Sequence, residues 1–214
     1  MSARFPDLPA RMAGLPLDHR GFPVPWFVAW QDGKPVFPAM DPEKMARAIK
    51  FDRCWVCGGA LGQFKVYVIW PMCVANQVSS EPPSHDECAV FAARNCPFLA
   101  NPKMGRVPTD KFGGCIENVA GEMIARNPGV TALATIKGKA RWFRDGPGVL
   151  FRVDPIERCV WYAHGRLATR AEVAASFDSW LPILLEMATK EGPDAVVALS
   201  RQEAKARALF PVEA

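Results

Sequence analysis

An α+β fold is what this sequence predicts, and three observations predict it. Soft ligand side chains come as two short-spaced pairs, Cys54-Trp55-Val56-Cys57 followed by Gly58-Gly59, and His85-Asp86-Glu87-Cys88. A block from Thr131 to His164 divides into short runs rich in β-branched and aromatic residues, separated by Gly and Pro signals. From Thr169 onward the apolar periodicity is helical. A small metal-binding module, a small antiparallel sheet and a C-terminal helical hairpin follow from these in turn.

Composition sets the bounds. Half of the 214 residues are apolar and 22% are charged, the balance of an ordinary folded chain with enough length for a real core. The formal charge of +4 is compatible with a DNA or RNA partner but is not the signature of a strongly basic binder. The seven cysteines, an odd number with metal-type spacing, point to reduced thiols and a cytoplasmic location. No apolar run approaches the ~20 residues of a membrane span, and Met1 to Arg11 lacks the apolar core of a secretory signal. A membrane partner is therefore not expected. The signals divide the chain into a proline-rich lead-in with a hairpin and short helix (1–50), the metal-binding module (51–100), a helix and antiparallel sheet (101–168) and the helical hairpin (169–214), expected to pack as one unit.

In the lead-in, Pro6, Pro9, Pro16, Pro23 and Pro25 predict extended chain. Trp26 to Trp30 reads as a strand, Asp32-Gly33 as its hairpin turn and Val36 to Met40 as the return. Asp41, with Pro42 at the first helical position and Glu43 in the first turn, starts a short helix to about Lys50, with Met45 and Ile49 toward the core.

The module comes next. Zinc is held by four Cys or His side chains, and a C-x-x-C pair is a common half of such a site. Gly58-Gly59 permits the tight turn behind it. Ser84 and Glu87 form a capping-box pattern after Pro82-Pro83, so a helix starts with His85 and Cys88 three apart on one face. Phe64 to Trp70 between the halves reads as a strand. Cys54, Cys57, His85 and Cys88 are thus the candidate ligands of a structural Zn2+, a closed Cys-rich set with no open position for substrate. Cys73 and Cys96 are either substitute ligands or buried core thiols.

Knuckle, hairpin, then a helix whose first turn supplies two ligands resembles the treble-clef class of zinc domains, over about a quarter of the chain. The class hosts many functions and assigns none. His-Asn-His nucleases share that scaffold but need a histidine on the hairpin. The three histidines here are His19, His85 and His164, and none lies between Leu61 and Val78. Taken whole, the cysteine region together with the proline-rich lead-in resembles a bacterial or bacteriophage protein type, a resemblance that brings no activity with it.

Beyond the module, Phe98 to Gly114 reads as a basic loop with Lys103, Arg106 and Lys111, and Cys115 to Asn127 as a helix stopped by Pro128-Gly129. Thr131 to Lys137, Ala140 to Arg144, Val149 to Val153 and Arg158 to His164 are the expected strands. If one strand ran on through Gly138, Lys137, Lys139 and Arg141 would share a face. With Arg144, Arg152, Arg158 and Arg166 nearby in sequence, and with Trp142, Phe143, Trp161 and Tyr162, that face would suit a nucleic acid; otherwise the cations solvate an outer face and the rings fill an inner one. A hairpin turn at Gly138 would break the face. His19 sits in a polar loop, and Cys159 and His164 fall on opposite sides of a strand, so neither supports catalysis.

Thr169 and Glu172 form a second capping box. Val173, Phe177, Trp180, Leu181, Leu184 and Ala188 make one apolar stripe, with Pro182 kinking or dividing the helix. Pro193 opens the last helix to about Leu209, with Val196, Val197, Ala204 and Ala208 as its packing positions. The stripe is expected to pack within the chain, with a homodimer interface as the alternative. Two functions are consistent with all of this: a zinc-stabilised protein that binds nucleic acid or a protein partner, or an enzyme acting on nucleic acid or nucleotides with zinc as scaffold. No phosphate-cradling loop, dinucleotide fingerprint, H-E-x-x-H or G-x-S-x-G is present.

Overall fold

The computed structural model describes residues 4–101, 103–104, 127–146 and 148–212. Its centre is strand β5 (Val130–Lys137), in which every residue from Val130 to Ile136 is buried. A strand without polar alternation must be covered on both faces, and this one is. It lies between β3 (Phe64–Ile69) and β8 (Arg158–Ala163), and β9 (Arg166–Leu167) completes an antiparallel sheet of order β3-β5-β8-β9. On one face Tyr67, Ile69, Ala132, Ala134, Ile136, Trp161 and Ala163 enter the main core. Helices α2 (Pro71–Asn76), α5 (Arg170–Asp178), α6 (Leu181–Glu191) and α7 (Pro193–Arg207) close that core. On the other face Val66, Leu133 and Tyr162 meet Ala89 and Ala93 of α3 (Asp86–Asn95).

A second antiparallel sheet, β4 (Val78–Ser79), β7 (Gly148–Arg152) and β6 (Arg141–Asp145) in that order, feeds Phe151 of β7 into the main core. The strand block therefore forms parts of two sheets rather than the single sheet expected. Gly138, at φ +99°, turns the chain out of the first sheet between β5 and β6. The strand after the knuckle also differs from expectation. β3 finds its ladder partner in distant β5, and its link to the ligand-bearing helix is one bridge, Val66 to Ser84.

The lead-in folds as its turn chemistry dictates. A single 3-10 turn (Ala10–Met12) precedes the hairpin of β1 (Val28–Gln31) and β2 (Lys34–Met40), whose Asp32-Gly33 turn has positive φ at both residues. Asp41 caps α1 (Pro42–Phe51) by accepting from the Glu43 and Lys44 amides, and Met45 and Ile49 pack on the main core. At the other end the Thr169–Glu172 capping box is formed, and Pro182 sits in the first turn of a new helix, so the stripe is carried by α5 and α6. In α7 the buried positions are Leu199 and Ala206, while Val197, Ala204 and Ala208 are exposed. The helix meets the core along the row that ends at Phe210, and Trp161 donates its indole N–H to the Leu209 carbonyl there, 2.8 Å. A four-residue helix, α4 (Pro97–Ala100), follows α3. Residues 115–126 of the helix expected before Asn127, and most of the basic loop ahead of it, lie outside the described residues. Among the described residues no helix is long and apolar enough to cross a membrane.

Candidate metal centre

The C-x-x-C turn is built from backbone hydrogen bonds that a tight knuckle requires. The Cys54 amide donates to the Gly59 carbonyl at 2.7 Å and the Gly58 amide to the Cys54 carbonyl at 2.8 Å, and Arg53 bridges to Ala60 across the turn. Gly58 has φ +73°, and a Cβ there would stand 2.7 Å from the Trp26 ring. Trp55 is buried among aromatic rings. It stacks on Phe27 (4.9 Å, 8°) and lies edge-on to Trp26 (6.5 Å, 82°). The turn is thus clamped from behind by aromatic packing, and Lys65 holds its exit by pairing with Asp52 and donating to the Gly62 carbonyl, each at 2.8 Å.

The second pair sits at the start of α3, one residue displaced from the capping-box reading. His85, not Ser84, is the N-cap, without a side-chain capping bond. Ser84 is in extended chain, exchanging backbone bonds with Val66 (2.8 and 2.9 Å), and Glu87 is drawn off to Arg11 at 2.6 Å. The three-residue offset between His85 and Cys88 is unaffected, so both still reach one point.

The ligand atoms of Cys54, Cys57, His85 and Cys88 all lie within 4.8 Å of one another and could hold a metal ion. His85 Nδ1 is 3.4 Å from Cys57 Sγ and 4.0 Å from Cys88 Sγ. Those values bracket the roughly 3.6 Å that separates sulfur and nitrogen ligands on a tetrahedral zinc, given its usual bond lengths. The other ring nitrogen, Nε2, is 2.9 Å from the Ala60 carbonyl. A carbonyl only accepts, so Nε2 carries the proton and Nδ1 presents its lone pair to the sulfurs, the outer-shell arrangement that orients ligating histidines. Cys54 Sγ accepts from the Cys57 and His85 amides, both at 3.4 Å.

The electrostatics agree with that donor set. Hydrogen bonds from the Cys57 and Cys88 thiols, joined by the two amides, hold Cys54 far below the usual thiol range despite its burial. Cys57 and Cys88 go the other way, first because each shares its proton with Cys54 and then through burial. Negative charge on three crowded sulfurs is self-repelling, and a divalent cation would let all three ionise. Arg11 answers that charge. Its guanidinium, raised chiefly by its bond to Glu87, also feels Cys57 and Cys88.

The lead-in covers the centre. Phe5 and Met12 form one buried cluster with Cys54, Val56, Cys88 and Phe91, with Leu8, Leu15 and Phe22 packed on it. Sequence reasoning missed this cover. Its signal was present, since Phe5, Leu8, Met12 and Leu15 recur at three- and four-residue spacing among the prolines. The Ala60 carbonyl carried no such signal, because any residue supplies one.

The remaining candidates separate. Cys73 packs on the main core. Cys96 lies between α3 and α4 with its thiol pushed up by burial. Cys159 is half-buried, and burial pushes its thiol up to about 12. His19 and His164 are exposed, the latter in the β8–β9 turn. Lys137 ends β5 and Lys139 lies in the link. The turn at Gly138 puts Lys137 and Arg141 in different sheets, so Lys137, Lys139 and Arg141 do not share a strand face, and Arg141 and Arg144, three apart in β6, fall on opposite faces. Arg158 is paired with Asp86 and Arg166 with Glu172, while Trp161 and Tyr162 are buried. No protein-family model, curated protein or solved structure matches the chain.

Proposed function

We propose that this chain is a zinc-stabilised binding protein whose metal is structural and whose partner is a nucleic acid. The observation that carries the metal assignment is the convergence of three thiols and one oriented imidazole within 4.8 Å, two of the thiols fully buried. Three sulfurs and a nitrogen favour zinc over the hard cations. Four protein donors fill its tetrahedron, so the ion would stabilise fold rather than activate substrate. Cys54 and Cys57 would hold it from the knuckle, His85 and Cys88 from the helix start, and the pairing of those two pieces supports a treble-clef-like reading of the module. Because the same cluster takes in the lead-in, loss of the metal would loosen the chain from Phe5 to Phe91.

The nucleic-acid reading rests on exposed cations around the second sheet, Lys139, Arg144 and Arg152 among them. Protein binding is the second reading, favoured by Leu185 and Val197, 47% and 50% exposed on the C-terminal hairpin. Elemental analysis of protein purified without added metal tests the first half, with one zinc per chain expected and unfolding on chelation. A metal-free folded chain, or a metal removed without loss of structure, refutes it. Salt-dependent retention of DNA or RNA at low ionic strength tests the second half, and no binding to any polyanion refutes it.

A further inference from the structure

In the second sheet Arg141 stands directly opposite Arg152, and Phe143 directly opposite Leu150. Val78 of β4 stands opposite Arg152 on the other side. Residues paired in this way share a face, so these five make one surface. The reverse face carries Phe151, which is 1% exposed and part of the main core, so the five look outward. None of them belongs to any apolar cluster of the described residues. Arg141 and Arg152 are exposed, and Val78, Phe143 and Leu150 are half-buried.

Two features of this face select its occupant. Like charges directly across a ladder repel, and here the repulsion is only partly offset. Arg141 is bonded to Asp154 at 2.8 Å, whereas Arg152 has no carboxylate partner among the described residues and lies over the Phe143 ring, 4.9 Å from its centroid. An anion between the two guanidiniums would relieve that repulsion. The second feature is the ring itself. It already carries one planar group, the guanidinium, and a nucleobase is another planar group such a ring accepts. The exposed Lys139, in the link that enters β6, extends the rim, while Trp142 and Arg144 stand on the reverse face opposite Phe151 and Val149. Phosphates spaced along a strand, with unpaired bases between them, match cations set around a ring; a duplex offers the phosphates but keeps its base faces stacked.

We infer that the outward face of the β4-β7-β6 sheet binds single-stranded nucleic acid, with Arg141 and Arg152 on phosphates and Phe143 beneath a base. This rests on the nucleic-acid reading above and narrows it to one surface and one form of the polymer. The test is fluorescence anisotropy of labelled oligothymidylate, oligouridylate and a DNA duplex with the full zinc-loaded chain, alongside Arg152→Gln and Phe143→Leu. Circular dichroism and zinc content are measured on each variant so that a folding defect is seen directly. Both single strands should bind at low salt. Arg152→Gln should reduce the slope of log K against log salt by about 0.7, one phosphate contact. Phe143→Leu should weaken binding about tenfold, the low end of a lost base stack, with the slope unchanged. Undiminished binding by both folded variants would overturn the inference while leaving the broader nucleic-acid reading intact. No binding of any of the three probes would overturn both. Preference for the duplex, indifferent to Phe143→Leu, would overturn the single-strand assignment.

Discussion

Gly58 and Gly59 are adjacent in the knuckle and equivalent in the sequence, yet Gly58→Ala should be far the more damaging. At Gly58 the backbone has φ +73°, and an added Cβ would lie 2.7, 2.8 and 2.9 Å from Trp26 Cγ, Cδ1 and Cδ2. Ordinary carbon contacts need about 3.5–4.0 Å, so the indole would have to retreat by about an ångström. It cannot do so freely, because it lies edge-on to Trp55, which is stacked on Phe27. The left-handed conformation costs a non-glycine residue about 1–2 kcal/mol, and overpacking adds about 1–3 kcal/mol. The sum is a loss of about 2–5 kcal/mol. Gly59 has no positive φ, and its Cβ would meet Cys57 Sγ at 3.4 Å and His85 Cε1 at 3.5 Å, so Gly59→Ala should change stability by less than about 1 kcal/mol. Urea unfolding of the zinc-loaded proteins measures both. Repeating Gly58→Ala on a Trp26→Ala background should return the steric part and leave the backbone part. Equal losses for the two glycine variants, or no relief from Trp26→Ala, would refute the description of the knuckle.

Three further outcomes are expected. Cys88→Ala should abolish zinc retention and leave the chain insoluble or unfolded, whereas Cys73→Ala should keep the full zinc content and lose only core packing, as read by elemental analysis and thermal melts. Gly165→Ala should cost about 2–5 kcal/mol, because Gly165 has φ +73° and its Cβ would lie 2.7 Å from the Arg94 carbonyl, against no change for Gly14→Ala, where nothing lies within 4 Å. Arg166 and then the Thr169 amide hold the Glu172 carboxyl at about 2, below its ordinary 4.5. A depressed carboxyl stabilises fully above its unfolded value, so this contribution should be lost as pH falls from about 4.5 toward 2. Glu172→Gln should flatten that part of the stability profile in urea melts across the acid range.

Local chemistry was legible in the sequence wherever it acts through neighbours along the chain. The C-x-x-C spacing and the three-residue offset of His85 and Cys88 named the four side chains that the fold brings together. Asp32-Gly33 turned the hairpin, Asp41-Pro42 started α1, and the Thr169–Glu172 box started α5, because each device needs only adjacent backbone. The boundaries of the four late strands fell within a residue or so for the same reason, since Gly and Pro punctuate them. Partnership was not legible. That β3 pairs with β5, that β6 and β7 leave the first sheet, and that Ser84 serves a strand bridge instead of a helix cap all depend on segments far apart in the chain. So do the packing row of α7, the Ala60 carbonyl behind His85 and the lead-in over the thiols. Hydrogen bonding and apolar burial are satisfied by whichever groups the folded chain brings near, and periodicity shows that a face will be buried without showing what will bury it. The ligands of the candidate metal centre were therefore written in the sequence, and its cover, its tautomer and the outward face of the second sheet were decided by tertiary structure.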